Sequence, residues 1–292
     1  MKVAEKLLRN TESIISNDQL KAPIYNNTDL EHALKEFRAC EYGEFIQVTE
    51  NIKVMFIQNQ HIPGATSVYV VISYEGEEDI TLLFTGDYNL VNAFSSKQTT
   101  IPSFILEKPL SLMVLESTYG SRKSKDVEKG LFKREIEELV NERKTIVIPA
   151  FAYGRYQNVL WELKQLEEEG SLADVPIFMD GGLGLDLTYL WQYLDTVEIK
   201  DFIPKRVVAA EDRKQVMSLN IPKIIVTTSG MGNFGPAREY MPRYISEKWA
   251  AIYLTGYSSP DSNSRKILEA QEGELVKISG VVKEKHAIVK CT

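Results

Sequence analysis

The hydrophobic and polar positions along the chain predict two regions of different character. Between residues 44 and 84, short apolar runs alternate with polar turns, as in EFIQV, IKVMFI and ITLLF. A further apolar run, Leu112–Leu115, follows a mixed connection. We expect this first region to form strands joined by hairpins and turns, with Ile80–Phe84 and Leu112–Leu115 as buried strands.

After Gly120 the pattern becomes a repeated alternation of strand, glycine-containing loop and helix. The segments that carry this alternation are TIVIPAF, Tyr156–Leu166, PIFMD with GGLG, KIIVTTSGM, PAREYMPRYISE and AAIYLTGYSS. It predicts a doubly wound α/β unit with a mostly parallel sheet. In such sheets ligands bind outside the carboxyl ends of the strands.

Composition excludes some classes of protein. The chain has 292 residues, of which 43% are hydrophobic and 26% charged, as in globular proteins, and this length predicts two lobes or domains. A net charge of -7 argues against a generally basic nucleic-acid binder, although one basic groove is compatible with it. Two Cys without a CxxC motif give no disulfide framework. No apolar run is long enough for a membrane span and no signal peptide is visible, so we predict a cytoplasmic protein without a membrane partner.

Three side chains follow predicted strands and are candidates for chemistry. Asp87 comes after the turn that closes ITLLF, and Glu116 ends the run LMVL. A carboxylate at the end of a buried strand needs a cation, a metal or hydrogen-bond donors, so the two acids indicate a site, although either alone could be a turn cap. His61 lies between a strand end and the turn Pro63-Gly64, and we interpret it as a metal ligand.

The glycine loops leave two interpretations open. Asp180-Gly181-Gly182-Leu183-Gly184 is not GxGxxG and no GxxxxGK[ST] occurs, so a nucleotide site of those kinds is not expected. The loop Thr228–Gly230 could present backbone N–H groups to a phosphate. Equally, its glycine could simply close a turn between strand and helix.

Six segments in order resemble one family. QHIPGA, LFTGDYN, LESTYG, IPAFAYGRYQ, VTTSGM and LTGYSS are similar to motifs of the β-CASP branch of the metallo-β-lactamase-fold nucleases, which includes the mRNA 3′-end cleavage subunit and RNase J. The resemblance implies an α/β fold made of a partial αββα metallo-β-lactamase lobe with an inserted β-CASP lobe, which binds nucleic acid in the cleft between the lobes. The implied bounds are residues 1–119 for the first lobe, 120–274 for the β-CASP lobe and 275–292 for strands that return to the first lobe.

The same resemblance implies roles for individual residues. His61 is similar to the family's single histidine ligand, Asp87 to the carboxylate that bridges two zinc ions, and Glu116 to the acid that supports a catalytic histidine. The residues on loops that in the family face the substrate backbone are Arg155, Ser229, Gly230 and Tyr257. The implied activity is zinc-dependent hydrolysis of RNA phosphodiester bonds, with single-stranded RNA as partner.

The chain also departs from the family pattern. It lacks the family's HxHxDH segment and its two later histidine motifs, and its other histidines, His32 and His286, are interpreted as ordinary residues. Gly181-Gly182 stands where a Ser-Pro is usual, and Asp261-Ser262 where a Gly-Thr is usual. Since a catalytic zinc generally needs three protein ligands, we expect zinc to be weakly bound or absent.

Whether this chain alone is an enzyme is therefore left open. One expectation is an incomplete or inactive nuclease, either a shortened fragment or a protein whose metal site is completed by a homodimer mate or another partner chain. The alternative is a non-catalytic RNA-binding or scaffolding subunit.

Overall fold

The computed structural model describes residues 2–16, 24–118, 120, 130–172 and 174–292, and contacts divide the chain into two compact units. The first unit comprises residues 1–124 and 193–199, and the second comprises residues 125–192 and 200–292. Within the described ranges, no helix is both long enough and apolar enough to cross a membrane. The predicted bound of the first lobe, at residue 119, stays a prediction.

The first unit is built on a mainly antiparallel sheet. Its elements in chain order are α1 (Lys2–Ser16), α2 (Asn27–Lys35), β1 (Phe45–Gln47), β2 (Ile52–Gln58), β3 (Thr66–Ile72), β4 (Ile80–Phe84), β5 (Val91–Asn92), β6 (Ser95–Gln98), α3 (Ser103–Leu106) and β7 (Leu112–Val114). The five-stranded sheet has the order β1-β2-β3-β4-β7, and β5 pairs with β6 separately. Neither β5–β6 nor α3 was predicted, because their short segments carry no clear apolar period.

Strand direction decides which loops can meet in this sheet. β2 and β4 are each antiparallel to β3, and β4 is parallel to β7. Strands β2, β4 and β7 therefore run the same way, and the loops that follow them leave from one edge. The core lies where alternate side chains of β2 and β3 face inward, and its buried members are Met55, Ile57, Tyr69, Val71, Leu83 and Ile105.

The predicted burial of two strands differs from the structure: in β4 Leu83 is buried but Ile80 and Phe84 are 40% and 39% exposed, and β7 is exposed throughout. The run Leu112–Leu115 was expected to be a buried strand, but Leu112, Met113 and Val114 are each about half exposed. The reason is that β7 is an edge strand, which pairs with β4 on one side only. A short apolar run looks the same in a sequence whether it lies inside a sheet or at its edge.

The second unit contains a six-stranded sheet. Its elements are α4 (Leu131–Asn141), β8 (Thr145–Pro149), α5 (Arg155–Glu168), β9 (Ile177–Asp180), α6 (Gly182–Trp191), β10 (Val207–Ala209), α7 (Arg213–Ser218), β11 (Ile224–Thr227), α8 (Ala237–Tyr244), β12 (Ala250–Leu254), α9 (Asn263–Glu269), β13 (Leu275–Ile278), β14 (Val281–Glu284) and β15 (Ile288–Cys291). The sequence pattern also predicts a helix over Val127–Val140; residues 127–129 lie outside the described residues, and α4 corresponds to the rest. The order is β10-β9-β11-β8-β12-β15, and every neighbouring pair is parallel. The prediction of an α/β fold with a mostly parallel sheet is confirmed.

The centre of this sheet is covered on both faces. All residues of β8, β11 and β12 are buried, as expected for parallel strands between two helical layers. From β8 the chain moves through β9 to β10 and then turns back through β11 to β12. With right-handed connections, this reversal puts α5 and α8 on opposite faces and creates a switch point beside β8, where ligands of such sheets bind.

The last residues of the chain pair differently from the expectation. Residues 275–292 were assigned to the first lobe, whereas here β13 and β14 form a hairpin and β15 lies beside β12 in the six-stranded sheet. Val276 and Ile278 of β13 join the apolar core that includes Ile252 of β12. The sequence pattern alone does not show which unit buries these side chains. In the structure they are buried in the second unit.

A buried lysine lies at the amino end of β11. The side chain of Lys223 donates to the carbonyl groups of Leu219 and Ile221, and its Nζ lies 5.7 Å from the centre of the Tyr244 ring. Burial, together with the nearby charge of Arg243, lowers the pKa of Lys223 to about 8. Folding therefore opposes the charged form of this side chain.

This lysine predicts a pH dependence of stability. Between about pH 8 and pH 10, the unfolded chain keeps the Lys223 proton while the native protein releases it, so stability should rise with pH in this window. Relative to the Lys223→Met variant, the wild-type protein should gain about 1 to 2 kcal/mol, a value reduced for partial solvent screening. Urea unfolding at several pH values measures the difference.

Lys248→Met, which removes an exposed lysine from the same unit, is the control for this experiment. Parallel pH profiles for the wild-type protein and Lys223→Met would contradict the assignment.

Candidate functional site

Three loops that carry candidate residues leave the same edge of the first unit's sheet. His61 follows β2, Asp87 follows β4 and Glu116 follows β7. Their common edge results from the shared direction of the three strands. The sequence-based expectation that these residues lie at strand ends of one sheet therefore agrees with the geometry, while their roles stay predictions.

A buried asparagine joins two of these loops. The Asn59 side chain is 1% exposed, and its Nδ2 donates to the carbonyl oxygens of Thr85 at 3.1 Å and Asp87 at 3.0 Å. Its Oδ1 accepts from the backbone N–H of His61 at 3.3 Å. The main chain adds a bond from the N–H of Asn89 to the Asn59 carbonyl. One carboxamide thus fixes the loop of His61 against the loop of Asp87.

The sequence analysis missed Asn59. It stands in the polar triplet QNQ directly after a strand, where asparagine usually serves in a turn. No periodic pattern distinguishes a buried asparagine from an exposed one at such a position. The available signal was its place two residues before His61, in a loop that carries a candidate ligand.

Glu116 joins the third loop to the other two. The Thr85 N–H donates to the Val114 carbonyl, and the Glu116 N–H donates to Thr85 Oγ1 at 3.1 Å, so pairing continues beyond the end of β7. The Glu116 carboxylate accepts from the N–H groups of Thr118 at 3.0 Å and Tyr88 at 3.5 Å. The hydrogen bonds from Thr118 are the main cause of a lowered pKa of Glu116, and the N–H of Tyr88 lowers it further.

Asp87 has a different environment. It is exposed, and the hydrogen bond that reaches it from Asn59 ends on its carbonyl oxygen rather than on its carboxylate. Gly86 precedes it with φ of 57°, and a Cβ there would lie 3.2 Å from the Thr66 carbonyl oxygen, so a side chain at this turn would be strained. Tyr119, the fifth residue of the LESTYG motif, lies outside the described residues.

The other two histidines belong to other elements of the chain. His32 is in α2, and His286, expected in a strand, lies in the connection between β14 and β15 with its Nε2 3.2 Å from Glu284 Oε1. Among the described residues, no three His, Cys, Asp or Glu side chains lie together as a metal site would need. His61 and Asp87 are donors of the types that zinc accepts, but two donors do not complete a catalytic site.

The second set of candidates lies at the carboxyl edge of the six-stranded sheet. Arg155 is exposed at the start of α5, which follows β8. Ser229 and Gly230 follow β11, and Tyr257 follows β12 with 56% of its surface exposed. Since β11 and β12 flank β8, the three loops leave the sheet side by side.

Close packing explains the glycines in these loops. A Cβ on Gly230 would lie 3.0 Å from the Phe151 backbone nitrogen, and one on Gly256 would lie 3.2 Å from the Phe151 ring. At Gly181, with φ of 124°, a Cβ would approach Thr228 Oγ1 to 2.3 Å. Each glycine therefore has a packing reason, and a phosphate-binding role for the Thr228–Gly230 loop stays a prediction.

Asp180, at the end of β9, is engaged within the fold. Its carboxylate accepts two hydrogen bonds from Arg213, at 2.7 and 3.3 Å, and one from the Tyr240 hydroxyl at 2.8 Å. Burial and the charge of Asp180 raise the pKa of Tyr240, so this hydroxyl stays a donor. The group stabilises the packing of α7 and α8 beside the sheet.

Comparison with known proteins gives consistent matches. The Beta-Casp domain family matches residues 156–267. Curated relatives include an RNase J-like protein of Methanocaldococcus jannaschii, 30% identical over 84% of this chain and 58% of the relative. Others are the Probable RNase MJ4 of the same organism, 27% identical over 92% of this chain and 62% of the relative, and RNase aCSPSF2 of Saccharolobus solfataricus, 27% identical over 90% and 52%. The chain thus spans roughly half to three fifths of the length of these relatives.

Replacing Asn59 tests how the first unit's edge is held. Asn59→Ala removes a partner from the buried Thr85 carbonyl, the Asp87 carbonyl and the His61 N–H, and should lower the free energy of opening of this edge by about 2 to 3 kcal/mol. Hydrogen exchange of peptides that cover β2 and β4 measures it. Fluorescence serves as an internal control, because Trp161, Trp191 and Trp249 all lie in the second unit.

Asn89→Ala is the matched variant, since this exposed side chain makes a longer bond, 3.4 Å, to the His61 carbonyl. Its effect should stay within about 0.5 kcal/mol. Unchanged exchange in Asn59→Ala would show that the loops hold each other without the carboxamide.

Proposed function

Because the chain belongs to the β-CASP branch of the metallo-β-lactamase-fold nucleases, we propose that it takes part in RNA processing as a metal-dependent ribonuclease. The observation that carries this proposal is the connected edge of the first unit, where hydrogen bonds join the loops of His61, Asp87 and Glu116. The substrate is single-stranded RNA, and the reaction is hydrolysis of its phosphodiester bonds.

The first unit's residues would contribute two metal ligands. In this proposal, His61 supplies a neutral imidazole and Asp87 a carboxylate that can bridge two ions, with zinc as the metal. A bound metal would activate water and neutralise charge on the reacting phosphate. Since His61 and Asp87 supply only part of a ligand set, the remaining donors would come from outside the described residues. The described geometry supports no catalytic step through a metal.

Glu116 would act as a positioning residue. Hydrogen bonds from Thr118 and Tyr88 keep its carboxylate ionised and fix its orientation. An ionised carboxylate with remaining lone pairs accepts an imidazole N–H and so orients a catalytic histidine, as the family pattern implies.

The second unit's residues would bind the RNA backbone. Arg155 carries an exposed guanidinium at the edge of the sheet where ligands of such folds bind. Gly230 would offer its backbone N–H and Ser229 and Tyr257 their hydroxyls, whereas the Ser229 N–H already donates to the Phe234 carbonyl. Contacts of this kind carry affinity without base information.

A second candidate function is a non-catalytic RNA-binding or scaffolding subunit that works with a partner chain. It is favoured by the second unit, whose loops at this edge are held by protein packing around Phe151 and depend on no metal ligand. A homodimer mate or another chain could complete the metal site. The cytoplasmic location stays a prediction.

RNA binding is the first test of the proposal. The chain should bind a single-stranded oligoribonucleotide with an affinity that falls as salt rises, because phosphate contacts release counterions. Arg155→Ala should weaken binding similarly for different sequences and reduce the salt slope by about one. Fluorescence anisotropy across a salt series measures both.

Arg206→Ala is a control in the same unit, since this arginine pairs with Glu167 and Asp174 beside β10. A folded chain that shows no RNA binding at low salt would refute the role of the second unit.

Metal content is the second test. With His61 and Asp87 as partial ligands, the purified chain should hold zinc weakly and show little nuclease activity by itself. Supplying the family's HxHxDH segment and later histidines in one polypeptide should restore metal and cleavage, and Asp87→Ala should then abolish both. Elemental analysis and a cleavage assay provide the measurements.

Asp79→Ala, which changes an exposed acid before β4, is the matched control. Two tightly held zinc ions in the purified 292-residue chain, together with RNA cleavage, would contradict the incomplete ligand set.

A further inference from the structure

Phe234 is a large apolar side chain that the second unit leaves exposed. It lies between β11 and α8, and 54% of its surface is exposed. A single exposed aromatic residue is common on protein surfaces and needs no functional reason. The main chain around Phe234, however, is fixed on both sides.

Hydrogen bonds hold the Phe234 carbonyl in place. It accepts from the Ser229 N–H at 3.1 Å and from Ser229 Oγ at 3.4 Å. The flanking glycines, Gly232 and Gly235, have φ of 70° and 62°. A Cβ at Gly235 would lie 2.8 Å from the Thr228 carbonyl oxygen, so this turn is closely packed. The ring is therefore presented outward from a tightly packed turn.

The neighbouring loop presents a second exposed ring. Tyr257, 56% exposed, follows β12, and its loop is joined to the Phe234 loop through the start of α9. There Ser264 Oγ donates to the Gly230 carbonyl at 2.9 Å, and Asn263 Nδ2 donates to the Gly232 carbonyl at 2.8 Å. The two rings belong to one connected set of loops at the carboxyl edge of the sheet.

Positive charge accompanies these rings. Arg155 lies after β8, between the strands whose loops carry the two aromatic residues, and Arg238 lies in the first turn of α8. Both arginines are exposed. Exposed aromatic faces beside cations are the chemistry that binds single-stranded nucleic acid, since rings stack on bases while cations contact phosphates.

We propose that Phe234 is a base-stacking residue that holds one nucleotide of a single-stranded RNA against the carboxyl edge of the six-stranded sheet. This rests on the proposed RNA function and adds a contact to a base, whereas Arg155, Ser229, Gly230 and Tyr257 are assigned to the backbone. Stacking tolerates any base, so the residue contributes affinity and register without sequence preference.

The test compares side chains of similar bulk at this position. Phe234→Leu keeps an apolar side chain and removes the aromatic face, and it should weaken binding of a short oligouridylate by about 5- to 150-fold. Phe234→Tyr keeps the ring and should bind within about twofold of the wild-type protein. Neither change should alter the salt slope, because no phosphate contact is lost, whereas Arg155→Ala should lower that slope.

An oligonucleotide with abasic sites completes the test. If stacking is the contact, the wild-type protein and Phe234→Leu should bind the abasic probe equally. Wild-type affinity in Phe234→Leu, or an unchanged difference between the two proteins on the abasic probe, would refute the stacking role while leaving the RNA function in place. No RNA binding by the wild-type protein would refute both.

Discussion

The geometry of the first unit's candidate site depends on the buried carboxamide of Asn59. Parallel direction brings the ends of β2, β4 and β7 to one edge, but a strand end fixes only where a loop begins. Asn59 uses both N–H donors and its acceptor to join the loops that carry His61 and Asp87. Because the group is buried, breaking any of these bonds leaves a polar atom without water, which makes the arrangement stiff.

In the second unit, close packing fixes the positions of the loops that follow the strands. Gly230 and Gly256 bring two loops against Phe151, so their positions are set by van der Waals contact. This accounts for the glycines without a ligand, and Gly230 still lies at the edge where ligands of doubly wound sheets bind. A packing role and a phosphate-binding role are therefore compatible at Gly230.

The sequence predicted most of the fold for a physical reason. The continuous apolar strands β8 and β12 are buried on both faces, so a short apolar run bounded by turn residues separates them from helices and loops. The candidate residues at strand ends were predictable because strand ends and turns leave clear signals. The exposure of β7, the role of Asn59 and the pairing of β15 were not, since each depends on partners distant in sequence. The local sequence pattern does not determine which sheet edge or loop a segment contacts in the folded protein.

The hydrogen bonds of the two carboxylates favour different roles for them. Both oxygens of Glu116 already accept backbone N–H groups, which uses part of their capacity and fixes the plane of the group. Such a carboxylate is suited to orient a neighbouring imidazole. The hydrogen bond from Asn59 holds Asp87 by its main-chain carbonyl. It therefore leaves the lone pairs of the exposed carboxylate available. A metal ligand needs a fixed position and available lone pairs. The different hydrogen bonds that hold Asp87 and Glu116 therefore account for their different proposed roles, metal ligand and positioning residue.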